Sequence, residues 1–343
     1  MYYSLQIGRA LAALGVVLTH IAGPMSVKKY FGYTSVDHYL SFGTYGVQFF
    51  FVLSGFIIYS AHKEHLSKYS FLVEYLQKRF IRIYPIYFVV FLSVYFLAIV
   101  SHQESALFID KVSIIKALFL ISDFPVPIIG VAWTLEYEIF FYLLFALFIL
   151  HKYFVFFVVG IFVYYNLFYI VPDEIYLYIN FVRSQVIYLF LFGIIVAYLL
   201  KYKINISYVI YILAVGSVII IMNIIDAISE LNIFSDVRSL LLGLGFSFII
   251  YSVVKIESKG FNFHKYKKIN LLGDASYSLY LIHYPVISVI AKISMFVGLK
   301  NLGVLGAIIS FFIMLIVSIV IAILVHKYIE KPLIKKLSFK RNL

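Results

Sequence analysis

At 343 residues, 64% of them hydrophobic and 20% aromatic against 13% charged, this chain carries more apolar surface than a water-soluble domain can bury, so it must use lipid as its solvent. A formal net charge of +12 invites a nucleic-acid partner, but in a membrane protein Lys and Arg are placed first by topology, and no nucleic acid is expected. The absence of cysteine excludes disulfides, thiolate metal sites and an acyl-cysteine intermediate.

Apolar runs of roughly 20 residues, the length that crosses a hydrocarbon core, recur along the chain. They predict ten spans, at about 3–22, 42–60, 84–101, 131–150, 154–171, 185–200, 206–224, 239–254, 275–297 and 304–325. The expected fold is all-α, a polytopic transmembrane helical bundle forming one domain over residues 1–343 with no appended soluble domain. With both termini cytoplasmic, nineteen of the 28 basic residues fall on the inner side and seven on the outer, as the positive-inside rule requires. Arg9 interrupts the first apolar run and no small-residue cleavage pattern follows, so this run reads as a span rather than a cleaved signal. There is no repeat of fixed period and no linker of low complexity.

Ionisable residues inside spans are costly and mark candidate functional positions, with structural ion pairs as the competing explanation. On the first span Arg9 and His20 are eleven residues apart. That spacing puts them about 20° apart around a helix and about 16 Å apart along it. Arg9 can grip a cytoplasmic anion or pair with a buried carboxylate. His20 is either a general base, since a neutral imidazole accepts a proton near neutral pH, or an interhelical hydrogen-bonding histidine. The stretch from Gly46 to Gly55 places small residues in an aromatic span and reads as a close helix contact.

Arg79 and Arg82, at i and i+3 where a basic inner segment enters span three, can present two guanidinium groups to one phosphate or simply anchor the inner surface. Residues 112–130 are too short an apolar run before Asp123, Pro125 and Pro127 to cross, and read as an outer or re-entrant piece. Span four opens with Trp133-Thr134-Leu135-Glu136-Tyr137-Glu138, whose two carboxylates point to nearly opposite faces. In span nine Ser276, Tyr280 and His283 share roughly one face, beside Tyr277; they suit a site lining or polar helix packing. Lys292 lies near a span end and can snorkel to the surface.

These elements, in this order, resemble the type-3 family of integral membrane acyltransferases, which includes bacterial O-antigen and polysaccharide O-acetyltransferases. Arg9 and His20 match its arginine, ten residues, histidine signature; Gly46 to Gly55 resembles its aromatic Gly-to-Ser-Gly stretch; and Arg79-Phe80-Ile81-Arg82 is similar to its paired-arginine motif. Trp133 to Tyr142 resembles its Trp-Ser-Leu element, with Thr134 in place of serine and Glu138 at the glutamate position. Ser276 to His283 is similar to its penultimate-span motif, and Glu330-Lys331-Pro332 to its Glu-Arg-Pro, with Lys331 replacing arginine.

The resemblance implies transfer of an acyl group, most often acetyl, from acyl-CoA on the cytoplasmic side to a hydroxyl of a cell-envelope glycan such as an O-antigen, capsule or exopolysaccharide. The setting it implies is a bacterial inner membrane. On this reading Arg79 and Arg82 bind the CoA phosphates and Arg9 supports the donor. His20 takes the proton from the acceptor hydroxyl, with Glu138 orienting or balancing the imidazole. Trp133, Ser276, Tyr277, Tyr280 and His283 line the site. Outer segments 23–41, 102–130 and 225–238, with His38, His102, Tyr30, Phe31, Tyr33 and Tyr39, are candidates for sugar recognition. Acetyl-CoA is the expected co-substrate, and no metal-ligand spacing is present. A proton-coupled transporter or flippase for a glycan or lipid-linked sugar is the alternative, since buried Arg, His and Glu also serve proton coupling.

Overall fold

A computed structural model describes residues 2–100, 111–121, 129–154, 156–158, 160–161, 164 and 185–338. Among them there are only helices, turns and loops. In chain order the α-helices are α1 (Tyr3–Ser26), α2 (Thr34–Leu40), α3 (Gly46–His62), α4 (Leu72–Val100), α5 (Lys111–Leu118), α6 (Trp133–Leu150) and α7 (Val186–Leu199). They continue with α8 (Ile206–Ile228), α9 (Arg238–Ser258), α10 (Lys267–Asp274), α11 (Ser276–Phe296), α12 (Gly303–Val325) and α13 (Lys331–Leu337).

Eight helical stretches among the described residues are long and apolar enough to cross a membrane: Tyr3–Ser26, Thr34–His65, Tyr69–Val100, Trp133–Leu150, Ile206–Ile228, Arg238–Ser258, Ser276–Phe296 and Leu299–Leu337. Each coincides with one of the ten predicted spans. The predicted span at 185–200 is the shorter apolar helix α7, and the one at 154–171 lies largely outside the described residues. Of the re-entrant candidate, α5 is described and 122–128 is not.

Helix α4 begins at Leu72, well before the predicted start of span three near 84, and runs through Pro85. A proline inside a helix removes one donor and does not have to open a helix, and α4 continues through it. Arg79 and Arg82 therefore sit on α4 itself.

The chain divides into two compact units. Unit 1 comprises residues 1–57 and 188–328, and unit 2 comprises residues 58–187 and 329–343. In unit 1, α1 packs against α2, α9, α10, α11 and α12. Its first two N–H groups, from Tyr3 and Ser4, donate to the two carboxylate oxygens of Glu257 at the end of α9, each at 2.8 Å. A carboxylate at a helix start satisfies orphan donors and opposes the helix dipole, which suits an end that no residue of its own caps. Hairpins α8–α9 and α11–α12 complete the unit. The α8–α9 turn is held by buried Asp226, which accepts from the N–H of Ile233 (2.9 Å) and Phe234 (3.3 Å) and from Arg238 Nη2 (2.9 Å). After α11 the chain turns at Gly298 with φ +76°, the left-handed conformation that ends many helices.

The stretch from Gly46 to Gly55 does make the close contact that its small residues suggest. A Cβ on Gly55 would run into the carbonyl oxygen of Phe190, and one on Gly193 into that of Val52. Two glycines, each three residues from the carbonyl the other approaches, thus let α3 and α7 cross backbone to backbone within unit 1. Without a hydrophobic driving force in lipid, such an approach is what holds helices together. Gly193→Leu is expected to lower the melting temperature and the yield of folded protein in detergent; size-exclusion chromatography with thermal unfolding checks it.

In unit 2, α4 packs against α6 and α13. Tyr75 and Tyr87 on α4 are buried and donate to the carbonyls of Tyr142 (3.0 Å) and Ala117 (2.5 Å), tying α4 to α6 and α5.

Candidate active site

Arg9 and His20 both lie on the unbroken helix α1, so the shared face that their spacing predicts is present. Each meets a residue of α11. Arg9 Nε donates to Ser276 Oγ at 3.1 Å and Nη1 to Gln6 Oε1 at 3.4 Å. His20 Nδ1 stands 3.3 Å from His283 Nε2, with the ring centroids 4.9 Å apart and the planes at 66°. The two contacts follow the same order along both helices. Helices α1 and α11 therefore run in the same sense.

The hydrogen bonds around the two imidazoles determine their tautomers. His20 Nδ1 is 2.8 Å from the carbonyl of Val16, and His283 Nδ1 is 3.0 Å from the carbonyl of Leu279. A carbonyl oxygen only accepts, so each neutral ring carries its proton on Nδ1. His20 then has its lone pair on Nε2, the form a base needs. His283 is buried with 0% exposure, whereas His20 is half-buried and has the ring of Tyr284 edge-on at 5.6 Å. Tyr280, also buried, packs against His283 at 5.9 Å and against Phe50 at 6.4 Å. Tyr277 is half-buried beside them in the chain.

In unit 2, Arg79 and Arg82 have different surroundings despite their i, i+3 spacing. The Arg79 guanidinium lies over the rings of Tyr75 (5.7 Å) and Tyr142 (5.4 Å), and its Nη2 is 3.4 Å from His62 Nε2. A guanidinium only donates, so that His62 nitrogen accepts and the ring is neutral. All three neighbours are uncharged. Arg82 Nη1 instead donates to Glu330 Oε1 at 2.8 Å, and that carboxylate is fully buried. The Glu330-Lys331-Pro332 stretch and the paired arginines, distant in sequence, meet at this ion pair.

Of the two carboxylates in the Trp133 element, Glu136 is buried and Glu138 half-buried, as opposite faces of α6 require. Glu138 Oε1 accepts a short hydrogen bond from the hydroxyl of Tyr142, one turn further on, the same ring over which Arg79 lies. Trp133 opens α6 with its ring edge-on to Tyr137 at 5.9 Å.

On the outer-loop candidates, His38 Nε2 is 2.7 Å from the carbonyl of Ile228 and its Nδ1 3.3 Å from Glu230, which joins segments 23–41 and 225–238 within unit 1. Tyr39 stands exposed beside it. His102 lies outside the described residues. Among the described residues no three His, Asp or Glu side chains converge as metal ligands.

Residue spacing alone does not disclose the meeting of His20 with His283, the ion pair of Arg82 with Glu330 or the stacking of Arg79 on Tyr142. Each joins residues that belong to separate motifs. The shared back-bonding of two histidines onto their own helices leaves no signal in the sequence.

A family model described as an acyltransferase domain matches residues 2–326, nearly the whole chain. No curated protein and no solved structure matches it.

Proposed function

The chain belongs to the type-3 acyltransferase family and is an integral membrane acyltransferase, and from that premise we propose that it moves an acetyl group from acetyl-CoA to a hydroxyl of a cell-envelope glycan in a bacterial inner membrane. The observation that carries the chemistry is the His20 tautomer, with Nδ1–H given to Val16 and the Nε2 lone pair left for a proton. The acceptor hydroxyl loses its proton to Nε2 as its oxygen attacks the thioester carbonyl. The C–S bond then breaks and the proton passes to the departing thiolate, leaving an ester and free CoA. Arg9, tied to Ser276 and Gln6, supports the donor.

In unit 2 the donor's phosphates are assigned to Arg79, whose charge faces aromatic and imidazole groups that a phosphate would complement. Arg82 adds charge to the same helix while its Nη1 serves Glu330. Glu138, fixed by Tyr142, is the carboxylate assigned to balancing charge during transfer. Acceptor recognition is assigned to the joined outer segments around His38 and Tyr39, where an exposed aromatic ring suits stacking on a sugar.

The test is release of CoA from radiolabelled acetyl-CoA by the purified protein, together with isothermal titration of the donor. Wild type is expected to bind and turn over, and Arg79→Ala to bind roughly tenfold or more weakly, the loss of one or two charge-assisted hydrogen bonds. Unchanged affinity in Arg79→Ala would remove the assignment of the phosphates. Acetyl-CoA that is neither bound nor consumed by folded wild type would point to a proton-coupled transporter for a glycan instead.

A further inference from the structure

We infer that His283 is a positioning residue, which together with the Val16 carbonyl holds His20 in its base-competent tautomer and takes a stronger share of its Nδ1–H when the ring becomes positively charged. This rests on the reading of His20 as the base. The side chain of His283 is fully buried, and its Nδ1 faces the carbonyl of Leu279 at 3.0 Å. That carbonyl accepts, so the His283 proton sits on Nδ1 and its Nε2 is a buried acceptor. A buried acceptor without a donor costs about 1–3 kcal/mol.

The group at hand is His20 Nδ1 at 3.3 Å, which can donate there only if it carries the proton. Val16 makes the same demand from the other side at 2.8 Å. His20 Nδ1–H is thus shared between a carbonyl and an imidazole nitrogen, and a directional chain runs from His20 through His283 to Leu279. Reversing the His20 tautomer would set two lone pairs against each other in a buried place and would put the proton on the nitrogen that has to receive one.

The arrangement also serves the charged state. Once Nε2 has taken the proton of the acceptor hydroxyl, the imidazolium has a more polar Nδ1–H, and the His283 lone pair strengthens its hold on it. A triad carboxylate does this for a catalytic histidine by charge; a neutral imidazole does it by hydrogen bonding alone. The neutral partner also leaves the resting His20 ring uncharged. The near-perpendicular ring of Tyr284 and that of Tyr280 limit rotation of the pair.

The experiment combines ring-nitrogen NMR of ¹⁵N-histidine-labelled protein in bilayers with steady-state kinetics of two variants. Assignment of the His20 signals comes from subtraction of a His20→Gln spectrum. In wild type at neutral pH, His20 is expected to show a protonated Nδ1 and an unprotonated Nε2. A proton on Nε2 would overturn the inference whatever the activity. His283→Leu removes the acceptor and is expected to lower kcat roughly 10–100-fold with KM little changed, part of the 10²–10⁴ a positioned base contributes. His283→Gln, whose side-chain oxygen reaches about as far as Nε2, is expected to recover most of that loss.

Equal defects in the glutamine and leucine variants would mean that His283 only fills space, and wild-type kcat in folded His283→Leu would remove it altogether. A failure of the underlying reading looks different. Should His20→Gln turn over like wild type, the base lies elsewhere, while the NMR arm still decides whether the tautomer is held.

Discussion

Replacing His20 by alanine is expected to lower the rate of acyl transfer by about 10²–10⁴-fold, the contribution of a positioned general base, while acetyl-CoA still binds. The ring is half-buried, its Nδ1–H is taken by Val16 and His283, and its Nε2 has the lone pair that must accept a proton. Alanine removes that lone pair and also leaves His283 Nε2 without its donor, a cost of about 1–3 kcal/mol. His20→Gln is therefore the companion variant, since an amide fills much of the space but cannot accept a proton near neutral pH. Both should unfold thermally as cooperative species, and titration should show the donor bound. Turnover in folded His20→Gln at the wild-type rate would end the assignment of His20 as base.

Removing the other cation of α4 should act on stability instead. Arg82→Ala takes from Glu330, whose carboxylate has 0% exposure, the donor of an arginine that is itself 34% exposed, so the cost falls below the roughly 3–5 kcal/mol of breaking a fully buried pair from one side. The expected result is a marked fall in the melting temperature in detergent. Arg82→Leu combined with Glu330→Leu should be less harmful than the sum of the single changes, because the two groups interact directly and their hydrogen bond cannot be lost twice. An Arg82→Ala protein as stable as wild type would mean that Glu330 is held by its other neighbours or is protonated. The consequence is practical: a binding defect in Arg82→Ala has to be read beside its stability, whereas Arg79, stacked on neutral rings, is the cleaner position at which to test the proposed donor grip.

Much of this molecule is legible in its amino-acid sequence. Eight predicted spans coincide with membrane-length helices, and the spacing of Arg9 and His20 places both on one face of a helix that is indeed continuous. The motifs also point to the family whose model spans residues 2–326. The opposite faces of Glu136 and Glu138 follow from a separation of two residues on a helix, and one is buried where the other is half-buried. The predicted span at 84–101 coincides with the second half of α4, and what the apolar run does not show is that the helix starts earlier, at Leu72, and carries Pro85 internally.

The properties written into the amino-acid order are local to one stretch of chain: that lipid is its solvent, where helices can cross, and which residues share a face of the same helix. These follow from composition, from apolar run length and from a rise and turn per residue that every helix obeys. The meeting of His20 with His283, 263 residues away, and of Arg82 with Glu330, 248 residues away, emerges only when the helices pack. These spans are apolar and aromatic nearly all round, so their sequences carry little record of which face turns toward which neighbour. That choice is made by close backbone crossings such as Gly55 with Phe190 and Gly193 with Val52, and by the few buried polar groups that must find a partner in lipid.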